Sequence, residues 1–284
     1  MVVTNSNSGN CINYTDEELK NILERDFEFI RVDIDEDFSK KAEENACNSL
    51  VVVGGDGTLN SILNKIRKTT LNVFYIPKGT LNEKAKTVKK FDSNENLVIG
   101  KANGNIFTYV AACGTFTPIG YATKTKNKKR FKLLAYFFQA LKEYKVNDIK
   151  VDMSIDGKDY SDDYTLIMFL KSPRCFIFNF NKLYSPHSNY GHVLLINSPG
   201  ENTFKNKIKI FFPLFRAFFI GFRKPIEKDN LKFLQFKRVD LKLYEDTAFA
   251  FDGEKRVLSN DVKITMTPLK PNLTVCSPKR KIGK

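Results

Sequence analysis

The chain has no tryptophan, only two histidines, and no Cys-x-x-Cys pair among its five cysteines (Cys11, Cys47, Cys113, Cys175 and Cys276). This argues against a cysteine-based zinc site. The odd, irregularly spaced cysteines argue equally against a disulfide framework, so reduced thiols are expected. Acidic residues are scarce, 32 against 46 Lys and Arg, giving a net charge of +14. Such an imbalance bears on partners rather than fold and favours polyanions or an anionic membrane. Long apolar runs are missing as well. The longest, Ile210 to Phe222, contains Pro213 and Arg216 and is too short to span a bilayer. The opening Met1-Val2-Val3-Thr4-Asn5 lacks a basic region and a long apolar core, so no signal peptide is expected. A hydrophobic content of 42% is ordinary for a soluble protein and excludes a disordered chain. Together these features predict a soluble, cytoplasmic protein of one or two domains.

What is present centres on one stretch, Val51-Val52-Val53-Gly54-Gly55-Asp56-Gly57-Thr58-Leu59-Asn60. The β-branched run reads as a buried parallel strand, and Leu59, Ile62, Leu63 and Ile66 follow at helical spacing. The glycines therefore form a strand-to-helix turn, which aims backbone N–H groups and a positive helix end at one point. Glycine keeps that approach clear of side chains. A carboxylate there, Asp56, makes chemical sense among phosphates if it serves Mg²⁺.

Upstream lies a short strand and the polar turn Asn5-Ser6-Asn7-Ser8-Gly9, a helix from about Thr15, a strand over Phe27 to Ile34 and a helix over Phe38 to Ala46. Downstream, Leu71 to Ile76 is an apolar strand ending at Pro77-Lys78-Gly79-Thr80-Leu81-Asn82-Glu83. The alternation predicts a parallel sheet with helices on its faces, and its ligands belong at the carboxyl ends of the strands.

Gly54-Gly55-Asp56-Gly57-Thr58, followed about two dozen residues on by Pro77-x-Gly79-Thr80-x-Asn82, resembles the diacylglycerol kinase catalytic-domain family. That family includes bacterial soluble diacylglycerol kinases, related lipid kinases, and sphingosine and ceramide kinases. Asn5-x-x-Ser8-Gly9 is similar to its Asn-Pro-x-Ser-Gly opening, with Ser6 in place of Pro. The resemblance implies an NAD-kinase-like α/β domain over residues 1–115, with ATP on Asn5, Ser8, Gly9, Gly54, Gly55, Asp56, Gly57, Thr58, Asn60, Gly79, Thr80 and Asn82. It also implies Mg²⁺ at Asp56.

Beyond about residue 115 the βαβ rhythm stops. Strands are expected at Ile149 to Ile155, Tyr164 to Leu170, Phe176 to Phe180, His192 to Asn197, Leu231 to Tyr244, Ala248 to Asp252 and Val262 to Thr267, with a hairpin at Asp156-Gly157. This predicts a mostly antiparallel β-sandwich over residues 116–275, followed by a basic tail at 276–284. The family's second domain is of that kind, with its last strand or tail returning to the first. A basic run at residues 124 to 132 is a further candidate for membrane contact. Phe204, Ile208, Phe211, Phe212, Phe215, Phe218, Phe219 and Phe222 fall close to one helical stripe, interleaved with Lys205, Lys207, Lys209, Arg216, Arg223 and Lys224. The stripe reads either as a helix packed on the sandwich or as an interfacial helix. In the second case Phe211, Phe215 and Phe219 would enter lipid, with Lys205, Lys209 and Arg216 on anionic headgroups.

Phe251-Asp252-Gly253-Glu254 is the third element of the resemblance. By itself Asp-Gly marks only a hairpin. In the family this segment brings a carboxylate to the lipid hydroxyl, which implies Glu254 as general base and Asp252 as its support or a turn residue. Three departures stand out. Glu83 replaces a usual Asp, Val98 falls where some members carry Asp, and Ser188-Asn189-Tyr190-Gly191 stands where some bacterial members hold a structural Mg²⁺ with Leu-Asp-Asp-Gly. His187 and His192 read as ordinary polar residues. The expected activity is an ATP- and Mg²⁺-dependent lipid kinase acting on diacylglycerol or a related lipid, peripherally at the inner face of the membrane. The alternatives are a catalytically weak nucleotide- or lipid-binding relative, and an NAD kinase. No nucleic-acid motif is present, and oligomeric state, a homodimer included, is left open.

Overall fold

The computed structural model describes residues 1–5, 14–67, 70–79, 82–91, 97–115, 145–175 and 178–276. Contacts divide the chain into two compact units, Met1–Leu97 with Leu269–Lys284, and Val98–Pro268. Four expected features lie outside the described residues: the Ser8-Gly9 turn, Thr80, the basic run at 124 to 132, and the basic tail beyond Cys276.

In the first unit, strands β1 (Val2–Thr4), β2 (Arg31–Asp33), β3 (Ser49–Gly54) and β4 (Asn72–Pro77) alternate with helices α1 (Asp16–Leu23), α2 (Phe38–Glu44), α3 (Asp56–Lys65) and α4 (Glu83–Phe91). The four strands and the far C-terminal β16 (Asn272–Val275) form one parallel sheet in the order β16-β4-β3-β1-β2. Leu50 to Val53 are buried, as a strand covered on both faces requires. Val2, Leu19, Leu23, Val51, Val53, Phe74 and Ile76 form one core cluster. Thr15 starts α1 with a capping box: its hydroxyl accepts the Glu18 N–H and its own N–H donates to the Glu18 carboxylate. The strand expected over Phe27 to Ile34 shortens to Arg31–Asp33. Phe27 and Phe29 instead pack their rings together, with Phe27 also against Phe74.

The strands of the second unit pair antiparallel. Its strands are β5 (Val98–Ala102), β6 (Asn105–Phe107), β7 (Val110–Gly114), β8 (Ile149–Ile155), β9 (Lys158–Asp159), β10 (Asp162–Leu170), β11 (Gly191–Asn197), β12 (Ile226–Lys228), β13 (Leu231–Phe236), β14 (Arg238–Phe251) and β15 (Glu254–Pro268). All belong to one hydrogen-bonded sheet, in the order β12-β13-β11-β10-β7-β14-β15-β5-β6. The register places β7 and β8 end to end in the single lane between β10 and β14. The layers are halves of this continuous sheet. Gly191 on β11 lies against Met266 on β15, and residues from β5 to β15 share one core that includes Phe107, Phe169, Phe236 and Phe251.

The other face carries helix α5 (Phe204–Phe215), whose Ile210 and Leu214 join Leu194, Ile196 and Phe233 in a second cluster. Of the strand expected over Phe176 to Phe180, residues 176 and 177 lie outside the described residues, Phe178 makes an isolated bridge with Cys175, and Asn179 and Phe180 are not in a strand. The stretch from Leu231 to Tyr244 breaks at Lys237, where the Asp156 carboxylate accepts the N–H groups of Lys237 and Arg238.

Candidate functional site

In the order β16-β4-β3-β1-β2 the chain moves outward on both sides from the β1–β3 pair, so the crevice of such a sheet opens where β1 and β3 end. Asn5 follows β1 there, and Gly54-Gly55 closes β3. The glycine turn and the Pro-x-Gly turn after β4 touch directly. Lys78 N–H donates to the Gly54 carbonyl at 2.7 Å. A Cβ added at Gly79 would meet the Gly55 Cα at 2.5 Å and the Asn82 Oδ1 at 2.9 Å. At Gly54 it would meet the Thr58 side chain at 2.7 Å. Glycine at 79 is dictated by backbone-to-backbone approach, and at 54 by the Thr58 side chain packed against it.

Helix α3 has Gly55 as its N-cap, which, being glycine, makes no side-chain cap hydrogen bond. Its first-turn N–H groups, from Gly57 onward, are of the kind that bind phosphate oxygens. Asp56 joins the two turns. One carboxylate oxygen accepts the Glu83 N–H at 2.7 Å and the other the Lys84 N–H at 3.1 Å, so Asp56 caps α4 across a gap of 27 residues in sequence. Asp56 is only 7% exposed. Tyr75 is fully buried on β4, and burial first, then the Asp56 charge, holds its phenol pKa well above the ordinary value. Thr58 is buried under Gly54, and Asn60 is buried within α3, where its amide oxygen accepts from Asn64 at 3.1 Å. Asn82 precedes α4 at φ 49° with a buried Oδ1 that has no hydrogen-bond partner among the described residues. Glu83 is buried and paired with Lys86 at 3.5 Å. Beside this cradle a cleft of about 530 Å³, at the ends of β1 and β2, is lined by Thr4, Tyr14, Thr15, Arg31, Asp33 and Glu36.

A glycine cradle at the start of α3 fits the phosphates of a nucleotide, and the orphaned Asn82 Oδ1, an acceptor, fits a donor beside them such as a metal-bound water. Among the described residues no group of three or more His, Cys, Asp or Glu could hold a metal. Magnesium carried by nucleotide phosphates needs only one or two protein carboxylates, and Asp56 is the one that this turn offers.

In the second unit, Asp252-Gly253 forms the two-residue turn of the β14–β15 hairpin, with φ of 48° and 93°. The buried Asp252 carboxylate accepts four hydrogen bonds at 2.5 to 2.9 Å: from Thr108 N–H and hydroxyl, Tyr109 N–H and Val110 N–H. Burial raises its pKa, and those donors pull the other way. The four bonds pin the hairpin to the β6–β7 connection. They also hold Thr108 and Tyr109, between β6 and β7, out of the strand ladder. Asp156-Gly157 repeats the device at an exposed turn, its carboxylate holding the β13–β14 break. Asp252 is thus an anchor, and Glu254, two residues on and partly exposed, is the side chain that the anchored turn presents.

Sequence reasoning did not single out Lys171, which follows the apolar run of β10. It is 1% exposed, and its ammonium donates to the carbonyls of Ser185 (3.0 Å), Ser188 (2.5 Å) and Tyr190 (3.0 Å). The loop that carries Ser188-Asn189-Tyr190-Gly191 is therefore organised around a lysine cation. Neighbouring His192 is also buried. Its Nδ1 meets Asn181 at 3.2 Å, and burial, then the Lys171 charge, lower its pKa to about 4.

The family model described as diacylglycerol kinase catalytic domain matches residues 1–106, which bears out the resemblance carried by the two glycine motifs. A Streptococcus pneumoniae protein named "Putative lipid kinase" is 21% identical over 94% of this chain and 98% of its own length. The diacylglycerol kinase of Staphylococcus carnosus is 28% identical over 46% of this chain, and the match spans 47% of that relative. A crystal structure of a diacylglycerol kinase from Bacillus anthracis has the same fold: TM-score 0.64, 16% identity, 96% of this chain and 94% of the other covered.

Proposed function

We propose that this chain, with a diacylglycerol kinase catalytic domain over residues 1–106, is a lipid kinase that transfers the γ-phosphate of ATP to the hydroxyl of diacylglycerol or a close relative. The observation that carries the reading is the pairing of the two glycine turns through Asp56 inside the matched region. Nucleotide phosphates lie on Gly54, Gly55, Gly57 and Gly79, with the first turn of α3 supplying N–H donors. Asp56 would hold the Mg²⁺ that accompanies the nucleotide, an ion that would supply neutralisation of phosphate charge. Phosphoryl transfer asks little more of a protein than alignment and charge stabilisation.

The acceptor alcohol has a pKa far above 7 and needs a positioned base, a role we assign to Glu254. Asp252 positions that residue by holding its turn. No helix among the described residues is long and apolar enough to cross a membrane. The substrate is met peripherally, at the inner face, in keeping with the +14 charge.

The test is transfer of labelled γ-phosphate from Mg·ATP to diacylglycerol, ceramide or sphingosine in mixed micelles, with soluble NAD alongside. Label in one lipid, lowered at least about a hundredfold by Glu254→Gln with nucleotide affinity retained, supports the reading. Label in NAD alone would replace it with an NAD kinase. Nucleotide binding without transfer to any acceptor would replace it with a regulatory relative.

A further inference from the structure

Helix α5 and the turn after it solve one packing problem and leave another open. The Thr203 hydroxyl caps α5 by accepting the Asn206 N–H at 3.3 Å. Inward, Ile210, Leu214, Ala217 and Phe218 are buried against the sheet. Pro213 has no N–H to give, and the next turn, Arg216–Ile220, widens to π-helical, with Gly221 N–H bonding the Arg216 carbonyl at 3.0 Å. A π turn takes more than four residues, so side chains four apart come into line. Phe215 and Phe219 accordingly stack at 5.0 Å and 15°, continuing a stack of Phe211 on Phe215 at 6.0 Å.

This ladder points outward. Phe212 is 66% exposed, Phe204 80%, and Phe211, Phe215 and Phe219 between 41% and 44%. Stacked aromatic rings on a convex helix surface form a ridge rather than a groove. On a helical projection Lys205 and Lys209 lie on one flank of the ridge and Lys207 on the other. Between Glu201 and Glu227 there is no acidic residue, while Lys205, Lys207, Lys209, Arg216, Arg223 and Lys224 are all basic. Arg216 is engaged within the turn: its guanidinium donates to the Gly221 carbonyl and lies 5.2 Å over the Phe222 ring. The remaining five cations surround the ridge.

We infer that this ridge is the membrane-docking face, inserting Phe204, Phe211, Phe212, Phe215 and Phe219 among the lipids of an anionic bilayer, with the flanking lysines on headgroups. Charge decides between occupants. A second copy placed face to face would set like charges against each other, whereas anionic lipid complements both features of the ridge at once. The inference rests on the shape and charge of α5 and not on the kinase reading.

The test is co-flotation of the full chain with vesicles, measuring binding and not turnover. Vesicles of phosphatidylcholine with phosphatidylglycerol are compared with phosphatidylcholine alone. The wild-type chain is expected to float with the anionic vesicles and to be released by salt. Phe211→Ser/Phe215→Ser/Phe219→Ser together should weaken binding about a hundredfold; Phe219 also packs on Phe178 at 5.2 Å, so the unfolding midpoint is measured alongside. Phe204→Ser/Phe212→Ser, at the most exposed rings, gives a second variant should the triple one fail to fold. Undiminished binding by either folded variant overturns the inference. So does a wild-type dimer, seen by sedimentation, that the substitutions dissociate, because it assigns the ridge to a second copy.

Discussion

Asp56 caps α4 and, in the proposed kinase, holds the nucleotide's metal ion; substitution can separate the two. Asp56→Ala removes both oxygens that accept the Glu83 and Lys84 N–H groups, at a residue only 7% exposed. Losing a helix cap costs about 0.5–2 kcal/mol. Orphaning buried donors adds to that, for a total of about 2–3 kcal/mol. Asp56→Asn keeps one acceptor oxygen and the side-chain volume but not the charge, so its cost should be about 1 kcal/mol. Urea unfolding should therefore rank wild type above Asp56→Asn above Asp56→Ala. Phosphate transfer should be lost in both variants, because the nucleotide-bound ion needs a carboxylate rather than an amide. Two outcomes would refute the reasoning. An Asp56→Asn variant with near-wild-type turnover would leave Asp56 as a cap alone, and an Asp56→Ala variant as stable as wild type would show that the cap contributes nothing.

Gly79→Ala places a methyl 2.5 Å from the Gly55 Cα, which must part the two turns, and overpacking of about 1–3 kcal/mol there should cut nucleotide affinity tenfold or more by titration calorimetry. Lys171→Met leaves the Ser185, Ser188 and Tyr190 carbonyls without the buried ammonium that gathers them and should lower unfolding free energy by about 1–3 kcal/mol, whereas chelator should leave wild-type stability unchanged because the loop's cation is a side chain. His192 titrates near 6.5 when unfolded and about 4 when folded, so the unfolded chain takes up the proton first. Stability should fall as pH drops through that window, by up to about 1.4 kcal/mol per unit, and His192→Gln should remove this component of the slope in denaturant titrations across pH 4–7.

Local pattern was enough for much of this architecture. Continuous β-branched runs can only be strands covered on both faces, hence the parallel sheet at Val51 to Val53. Asp156-Gly157 and Asp252-Gly253 supply the left-handed residues that two-residue hairpins need, and both turns form. The glycine motifs carry a backbone requirement that no other residue meets, which is why they and the match over residues 1–106 were legible together.

What the sequence by itself could not decide depended on partners far along the chain. Asp56 looks like a ligand in isolation, yet its carboxylate also meets N–H groups 27 and 28 residues away. Asp252 became an anchor only because Thr108, Tyr109 and Val110, over 140 residues earlier, converge on it. Lys171 is one of many lysines until three carbonyls surround it. The helical periodicity of the phenylalanines fitted core and interface equally. The sheet beneath α5 buries Ile210, Leu214, Ala217 and Phe218, while Phe204, Phe211, Phe212, Phe215 and Phe219 stay outside. Periodicity sets which side chains share a face, but burial depends on the surface that face meets, and tertiary packing supplies it.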